Sequence, residues 1–195
     1  MKKGDYMKKK FTLLSLPVIA ITIVWFVFYG NKPITLEKAI EQESPYYNAK
    51  EIIHIEKLDE FAIIVSKTNP DKLTNTNLYT EYTLPVIDIF VNNDKKGWEF
   101  LNSSWETPRS YKDDLTYLFK FLPSQENRLI SFGDINNPEI QNVSIEVSNE
   151  LIPANIIEDS YGNKTYFLIH DFESKRIITG HSENGEILFE INKRH

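Results

Sequence analysis

An uncharged apolar run near the start of the chain constrains its fold more than any other feature: Phe11 to Tyr29, FTLLSLPVIAITIVWFVFY. As a helix it spans about 28 Å, close to the hydrocarbon thickness of a bilayer. Pro17 lies in its first half, where membrane helices tolerate a kink. Trp25 and Tyr29 at its far end suit the aromatic belt of the membrane interface. Lys2, Lys3, Lys8, Lys9 and Lys10 precede the run, while only Lys32 and Lys38 follow it closely. The positive-inside rule then makes residues 1–10 a cytoplasmic tail, 11–29 a transmembrane helix and 31–195 extracytoplasmic. A start at Met7 leaves this topology unchanged. The rival is a signal peptide cut after Ala20, which leaves only Phe11 to Pro17 as an apolar core. The expectation is an uncleaved signal-anchor in the cell membrane, single-pass, touching lipid through residues 11–29.

The remaining composition narrows the class. The 195 residues carry no cysteine, which excludes disulfide scaffolds, thiolate metal sites and thiol nucleophiles. The net charge of −6 argues against a nucleic-acid partner. Residues 1–30 hold five lysines and one aspartate, so the rest of the chain carries −10, an ordinary solvated acidic surface.

Beyond the span, Gly30-Asn31-Lys32-Pro33 breaks the helix, and Thr35 caps a short one with Leu36, Ala39 and Ile40 on one face. Glu51–Lys57 and Phe61–Lys67 read as a hairpin, followed by a polar loop over Thr68–Thr80. Pro85–Val91 pairs with a strand from Trp98 across the turn Asn92–Gly97. Ser110–Leu122 reads as the best helix, with Tyr111, Leu115, Leu118 and Leu122 at i, i+4, i+7 and i+11 and Pro123 as its stop. A β-rich block follows: Arg128–Phe132, Gln141–Ser148 in clean alternation, Leu151–Ile157 broken by Pro153, Lys164–His170, Arg176–Gly180 and Glu186–Ile191. Asn184-Gly185 signals a hairpin whose two turn residues take positive φ. The expected fold class is α+β: a transmembrane helix, then antiparallel β-sheet lobes with two short helices. Residues 31–123 form one lobe, and a β-rich lobe of residues 124–195 packs on it.

Several short motifs carry a resemblance. They are the Lys-rich start and the span, KEIIHIE at Lys50–Glu56, KKGWEF at Lys95–Phe100, SFGDINNPEIQNVSIEV at Ser131–Val147 and ENGEILFE at Glu183–Glu190. In their order the chain resembles uncharacterised single-span membrane proteins of Gram-positive, Bacillus-type bacteria. The resemblance implies an extracytoplasmic α+β domain on a membrane anchor. It implies no catalytic residue, ligand or named activity.

The chain spells no phosphate-binding glycine loop, no nucleophile elbow and no H-E-x-x-H zinc motif. If Thr165–His170 and Arg176–His181 form a simple hairpin, His170 lies opposite Arg176 and His181 opposite Thr165. The two histidines then sit at opposite ends of the ladder, as surface residues that share no metal. His54 reads as a half-exposed strand residue on the face opposite Ile53 and Ile55. Asp113 and Asp114 suit the first turn of a helix. Asp134–Glu139 lacks the glycine and the spacing of a calcium loop. Trp98, Trp105 and His54 form a candidate interaction patch, set against ordinary core packing of the tryptophans on the 110–122 helix.

The residues therefore point to an envelope protein that binds another protein or an envelope component, with no catalytic residue, no metal site and no cofactor. Two alternatives stay open. One is an envelope hydrolase whose carboxylates and histidine are assembled in space. The other is a single-span sensor acting through a membrane partner.

Overall fold

The computed structural model describes residues 32–43, 50–68, 83–104, 113–123, 127–173 and 175–194. Among them, antiparallel strands dominate, arranged as three four-stranded sheets. The first sheet is a meander of β1 (Lys50–Leu58), β2 (Phe61–Thr68), β3 (Pro85–Asn93) and β4 (Gly97–Ser104). The second sheet is built from β5 (Leu118–Phe121), β6 (Arg128–Ile135), β9 (Asn155–Glu158) and β10 (Lys164–Asp171), in the order β5-β6-β10-β9. The third holds β7 (Asn142–Val147), β8 (Glu150–Pro153), β11 (Lys175–His181) and β12 (Ile187–Arg194), in the order β12-β11-β7-β8. The single helix among the described residues, α1 (Leu36–Gln42), starts where the sequence places it. Thr35 caps it, with its Oγ1 accepting from the Lys38 amide at 3.3 Å.

Strand parity stacks these elements in four layers. In β2, Phe61, Ile63 and Val65 point one way, and with Ile87 and Ile89 of β3 they meet Leu118, Ile130, Phe132 and Phe167 of the second sheet. The opposite parity, Ala62 and Ile64 with Phe90, packs under Leu36 and Ala39 of α1. On the far side of the second sheet, Ile135, Tyr166 and Leu168 meet Val143, Ile145, Val147 and Ile178 of the third. A strand covered on both faces buries every position, and β2 does so along its length. By contrast β7 alternates buried and half-buried residues, because only one of its faces is covered. Each buried Ile, Leu or Phe in these interfaces contributes about 1.5–3 kcal/mol.

This architecture corrects the expected α+β class with two short helices. Tyr117, Phe119 and Phe121 alternate with Leu118 and Leu122, so the stretch also fits a period of two. β-favouring aromatics then pair it with β6, Leu118 against Phe132 and Phe121 against Leu129. Leu118 and Leu122 enter the core between the first two sheets, and Leu115 enters the other one. Ser110 and Tyr111 of the expected helix lie outside the described residues. The simple hairpin considered for Thr165–His170 with Arg176–His181 is not formed. β10 pairs with β6 and β9, and β11 pairs with β7 and β12 in a different sheet.

The membrane expectation is corrected as well. Among the described residues no helix is long and apolar enough to cross a membrane, and those residues form a β-rich domain. The cell-membrane localisation, the signal-anchor and the extracytoplasmic placement therefore find no support there. The 11–29 run and the 1–10 tail lie outside the described residues.

Turn chemistry sets the hairpins. Asn184-Gly185 falls at the β11–β12 connection as expected, but only Gly185 takes positive φ (82°), in a wider turn closed by its amide on the Ser182 carbonyl at 3.0 Å. The two-residue left-handed loop is instead Ser148-Asn149 (φ 54° and 63°), joining β7 to β8. Gly133 is needed for another reason. A Cβ there would lie 2.1 Å from the Thr116 carbonyl oxygen, where residues 115–118 run antiparallel alongside β6.

Gly133→Ala is expected to cost about 1–3 kcal/mol or more by forcing the 115–118 segment away from β6. Gly185→Asn, at a position with open space and a residue that tolerates positive φ, is expected to cost less than about 1 kcal/mol. Urea-unfolding midpoints of the two variants check the order.

Candidate polar pocket between the first two sheets

One charged pair stands at the end of the interface between the first and second sheets. Lys67 continues the inward parity of Ile63 and Val65, and Asp134 continues that of Ile130 and Phe132. Both side chains are therefore driven inward with the core, and both residues are buried. The Lys67 ammonium donates to Asp134 Oδ1, and the Thr165 hydroxyl, cross-strand from Asp134, donates to the same oxygen at 3.0 Å. Burial pushes the Asp134 carboxyl above the usual carboxylate range, against the opposing pull of Lys67 and of the Thr165 hydrogen bond. Its backbone is fixed too: Thr116 Oγ1 accepts from the Asp134 amide at 2.7 Å, and the Asp134 carbonyl accepts from the Thr116 amide at 2.9 Å.

Above this pair opens a polar pocket of about 370 Å³. Lys67, Asp134 and Ile135 line its floor, with Asn136, Asn137 and Pro138 on one wall and Gly162, Asn163 and Lys164 on the other. The first wall is braced from below: the Asp114 carbonyl accepts from the amides of Asn136 and Asn137 at 2.8 and 3.0 Å. The second wall is a turn wound around Asp159, whose Oδ1 accepts from the amides of Tyr161 and Asn163, both at 2.9 Å. Burial disfavours ionisation of Asp159, but those bonds and one from the Asn163 side chain outweigh it and hold the carboxyl below its ordinary range. Lys164 Nζ reaches Gln141 Oε1 at 2.9 Å. The lining therefore presents carboxamides, each tied to a neighbouring carbonyl or carboxylate through its amide group, and two ammonium groups against one carboxylate.

Of the residues singled out from sequence, the Asp134–Glu139 stretch weighed against a calcium loop supplies part of the pocket, and the candidate interaction patch lies elsewhere. Trp98 packs beside α1 on the outer face of the first sheet, whereas the His54 ring lies 5.1 Å from Phe167 on the inner face. The structure does not bring these two together, and Trp105 lies outside the described residues. His54 is half-buried and its Nε2 meets Glu56 Oε2 at 3.1 Å. A bulge between Ile52 and His54 shifts the phase of β1, so Ile53 packs on the core while Ile55 is exposed. Asp113 and Asp114 sit in a bend that braces the pocket wall, not in a helix.

His170, expected on the surface, is buried. Its Nε2 accepts from the Ser131 hydroxyl at 2.8 Å while its Nδ1–H donates to the Asp171 carbonyl at 2.8 Å. Ser131 is fully buried, which marks this pair as a cross-strand brace. Among the described residues no group of three or more His, Asp or Glu is placed to hold a metal ion.

The Lys67–Asp134 pairing was missed because neither residue belongs to a catalytic motif, and Asp134 was weighed only in the calcium-loop comparison. Their one signal is parity: Lys67 in FAIIVSK and Asp134 in SFGDI occupy inward positions of strongly apolar strands. No protein-family model matches the chain, and neither does any curated protein or solved structure. The resemblance to single-span Gram-positive proteins gains no support from them, and the site rests on its own chemistry.

Asp134→Asn leaves Lys67 buried without a counter-charge and is expected to cost about 3–5 kcal/mol. The double variant Lys67→Met/Asp134→Leu removes both charges and is expected to stay within about 2 kcal/mol of the parent in urea denaturation. Burial, helped by the nearby Arg176 charge, lowers the His170 pKa from its ordinary 6.5 against the pull of Asp171 and Glu173. The unfolded chain thus takes up this proton first as pH falls. Stability from this source is complete above about pH 6.5 and declines as pH drops through the folded value. Urea midpoints at pH 7.5 and 5.5 are expected to show a smaller acid loss in His170→Gln than in the parent.

Proposed function

We propose that this protein is a non-catalytic binding module, and that the pocket above Lys67 and Asp134 receives a small polar ligand, the size of a monosaccharide or dipeptide, presented free or on a partner. The observation that carries this reading is the buried charged pair at the floor of a polar pocket. A desolvated ammonium–carboxylate pair is a costly way to stabilise a fold, so its position at the floor of a cavity favours recognition as its role. A volume of about 370 Å³ lies in the range of small-ligand sites. The polar lining favours a ligand rich in hydroxyl, amide or carboxylate groups over an apolar one. The Lys67 ammonium is already committed to Asp134, which favours holding a ligand over attacking one.

The test is a titration with neutral monosaccharides, N-acetylated monosaccharides and short polar dipeptides, followed by amide chemical shifts and melting temperature. One of the three classes is expected to shift Asn136, Asn137 and Asn163 in the parent and to lose at least tenfold in affinity in Lys67→Met/Asp134→Leu. The bound compound is expected to be recovered unchanged after prolonged incubation. Absence of any shift, or equal binding by the double variant, rejects the pocket; turnover of the compound rejects the non-catalytic reading.

A further inference from the structure

A second site is written into the opposite interface, between the second and third sheets. Arg176 on β11 is fully buried, the largest side chain to be so. Its parity is that of Ile178, which points into the core beneath the second sheet. Among the described residues its Nε, Nη1 and Nη2 find no hydrogen-bond partner. The Tyr117 hydroxyl, also buried, lies close enough to Ser131 and Arg176 to interact with both, without a well-formed hydrogen bond to either. A guanidinium cannot shed its charge to escape this cost, as a lysine or histidine can. Two aromatic faces offset part of it: the guanidinium carbon lies 5.3 Å from the ring centroid of Phe119 and 5.4 Å from that of Phe172. Such contacts contribute about 0.5–2 kcal/mol each, less than the desolvation of an unpaired cation.

The rings themselves reach the surface. Phe119, Phe121 and Phe172 are 36%, 43% and 38% exposed, and Phe121 packs against both of the others at 6.1 and 5.3 Å. The cation thus lies one side-chain layer below a partly exposed aromatic cover. We propose that Arg176, with the Tyr117 hydroxyl, is a binding site for a small carboxylate carried on an apolar body. The carboxylate accepts two parallel N–H bonds from the guanidinium fork and one from Tyr117, and its apolar body lies among Phe119, Phe121 and Phe172. A planar carboxylate matches the fork bidentately, and the aromatic rim supplies the preference for an apolar acid over a bare anion. This site lies at a different sheet interface from the polar pocket and stands whether or not the pocket binds anything.

The experiment uses the full chain with benzoate and octanoate as probes, benzyl alcohol and octanol as neutral controls, and inorganic phosphate as the bare anion, read by calorimetry and by the shifts of Tyr117 and Phe121. Benzoate or octanoate is expected to bind at least tenfold more tightly than its neutral control and than phosphate. Arg176→Met is expected to abolish the preference for the acid, and to melt at a higher temperature than the parent in buffer free of such acids, because a buried unpaired cation has been removed. Phe121→Ala, at a partly exposed ring, is expected to keep the fold and weaken octanoate at least threefold. Equal binding of acids and neutral controls overturns the proposal, as does acid binding that survives Arg176→Met, or phosphate binding as tight as benzoate. Should Arg176→Met fail to fold, the parent's acid-to-neutral ratio and Phe121→Ala decide it by the same criteria.

Discussion

Everything in this fold hangs on the second sheet being buried on both faces. β6 and β10 carry no solvent face, so each residue they contribute must satisfy one of two separate cores. Phe132 and Phe167 face the first sheet, while Tyr166 and Leu168, their neighbours in the chain, face the third. The same constraint explains the polar residues in these strands. A side chain of inward parity has no route to water along the strand. Asp134 therefore accepts from Lys67 and Thr165, Ser131 donates to His170, and the Tyr166 hydroxyl donates to the Thr116 carbonyl at 2.7 Å. Arg176 is the exception, left without such a bond among the described residues.

Lys67, Asp134 and Arg176 each fall within two residues of a strand end, while the largest apolar side chains fill the interfaces between them. Sheet twist accounts for this: layers packed face to face splay apart at their corners, where strands give way to loops. At one corner the gap is walled by the Asn136–Pro138 and Gly162–Lys164 loops, and the Lys67–Asp134 pair closes its floor. At the other interface, a cluster of rings covers a single cation.

Most strands were legible because alternation and turn residues are local properties. The hairpin from Lys50 to Thr68, the strand pair around Asn93–Gly97 and the alternation over Asn142–Val147 are each visible in a window of under twenty residues. The stretch 110–122 was not, because Leu115, Leu118 and Leu122 satisfy a helical period while Tyr117, Phe119 and Phe121 satisfy a strand period. Only the vacancy beside β6 decides between them. Partnering across sheets was equally hidden. Nothing near Asp171 announces that the chain leaves one sheet there and enters another, and the misplacement of His170 on the surface followed from that. The pocket was half legible. The charges at inward parity stand in the sequence, but their meeting across 67 positions depends on how the sheets stack.

The order in which strands are used has a consequence for synthesis. The first sheet is drawn from one continuous stretch, β1 to β4. The second and third are interleaved: the chain lays down β5 and β6, moves away for β7 and β8, returns for β9 and β10, and leaves again for β11 and β12. A chain emerging from the ribosome can complete its first sheet with more than eighty residues still to come. The other two wait for each other. Until β11 arrives, β7 lacks its inner neighbour and one face of β6 and β10 stays open to water. The residues of the second and third sheets therefore present unfinished, aggregation-prone surface until β11 is available to join them.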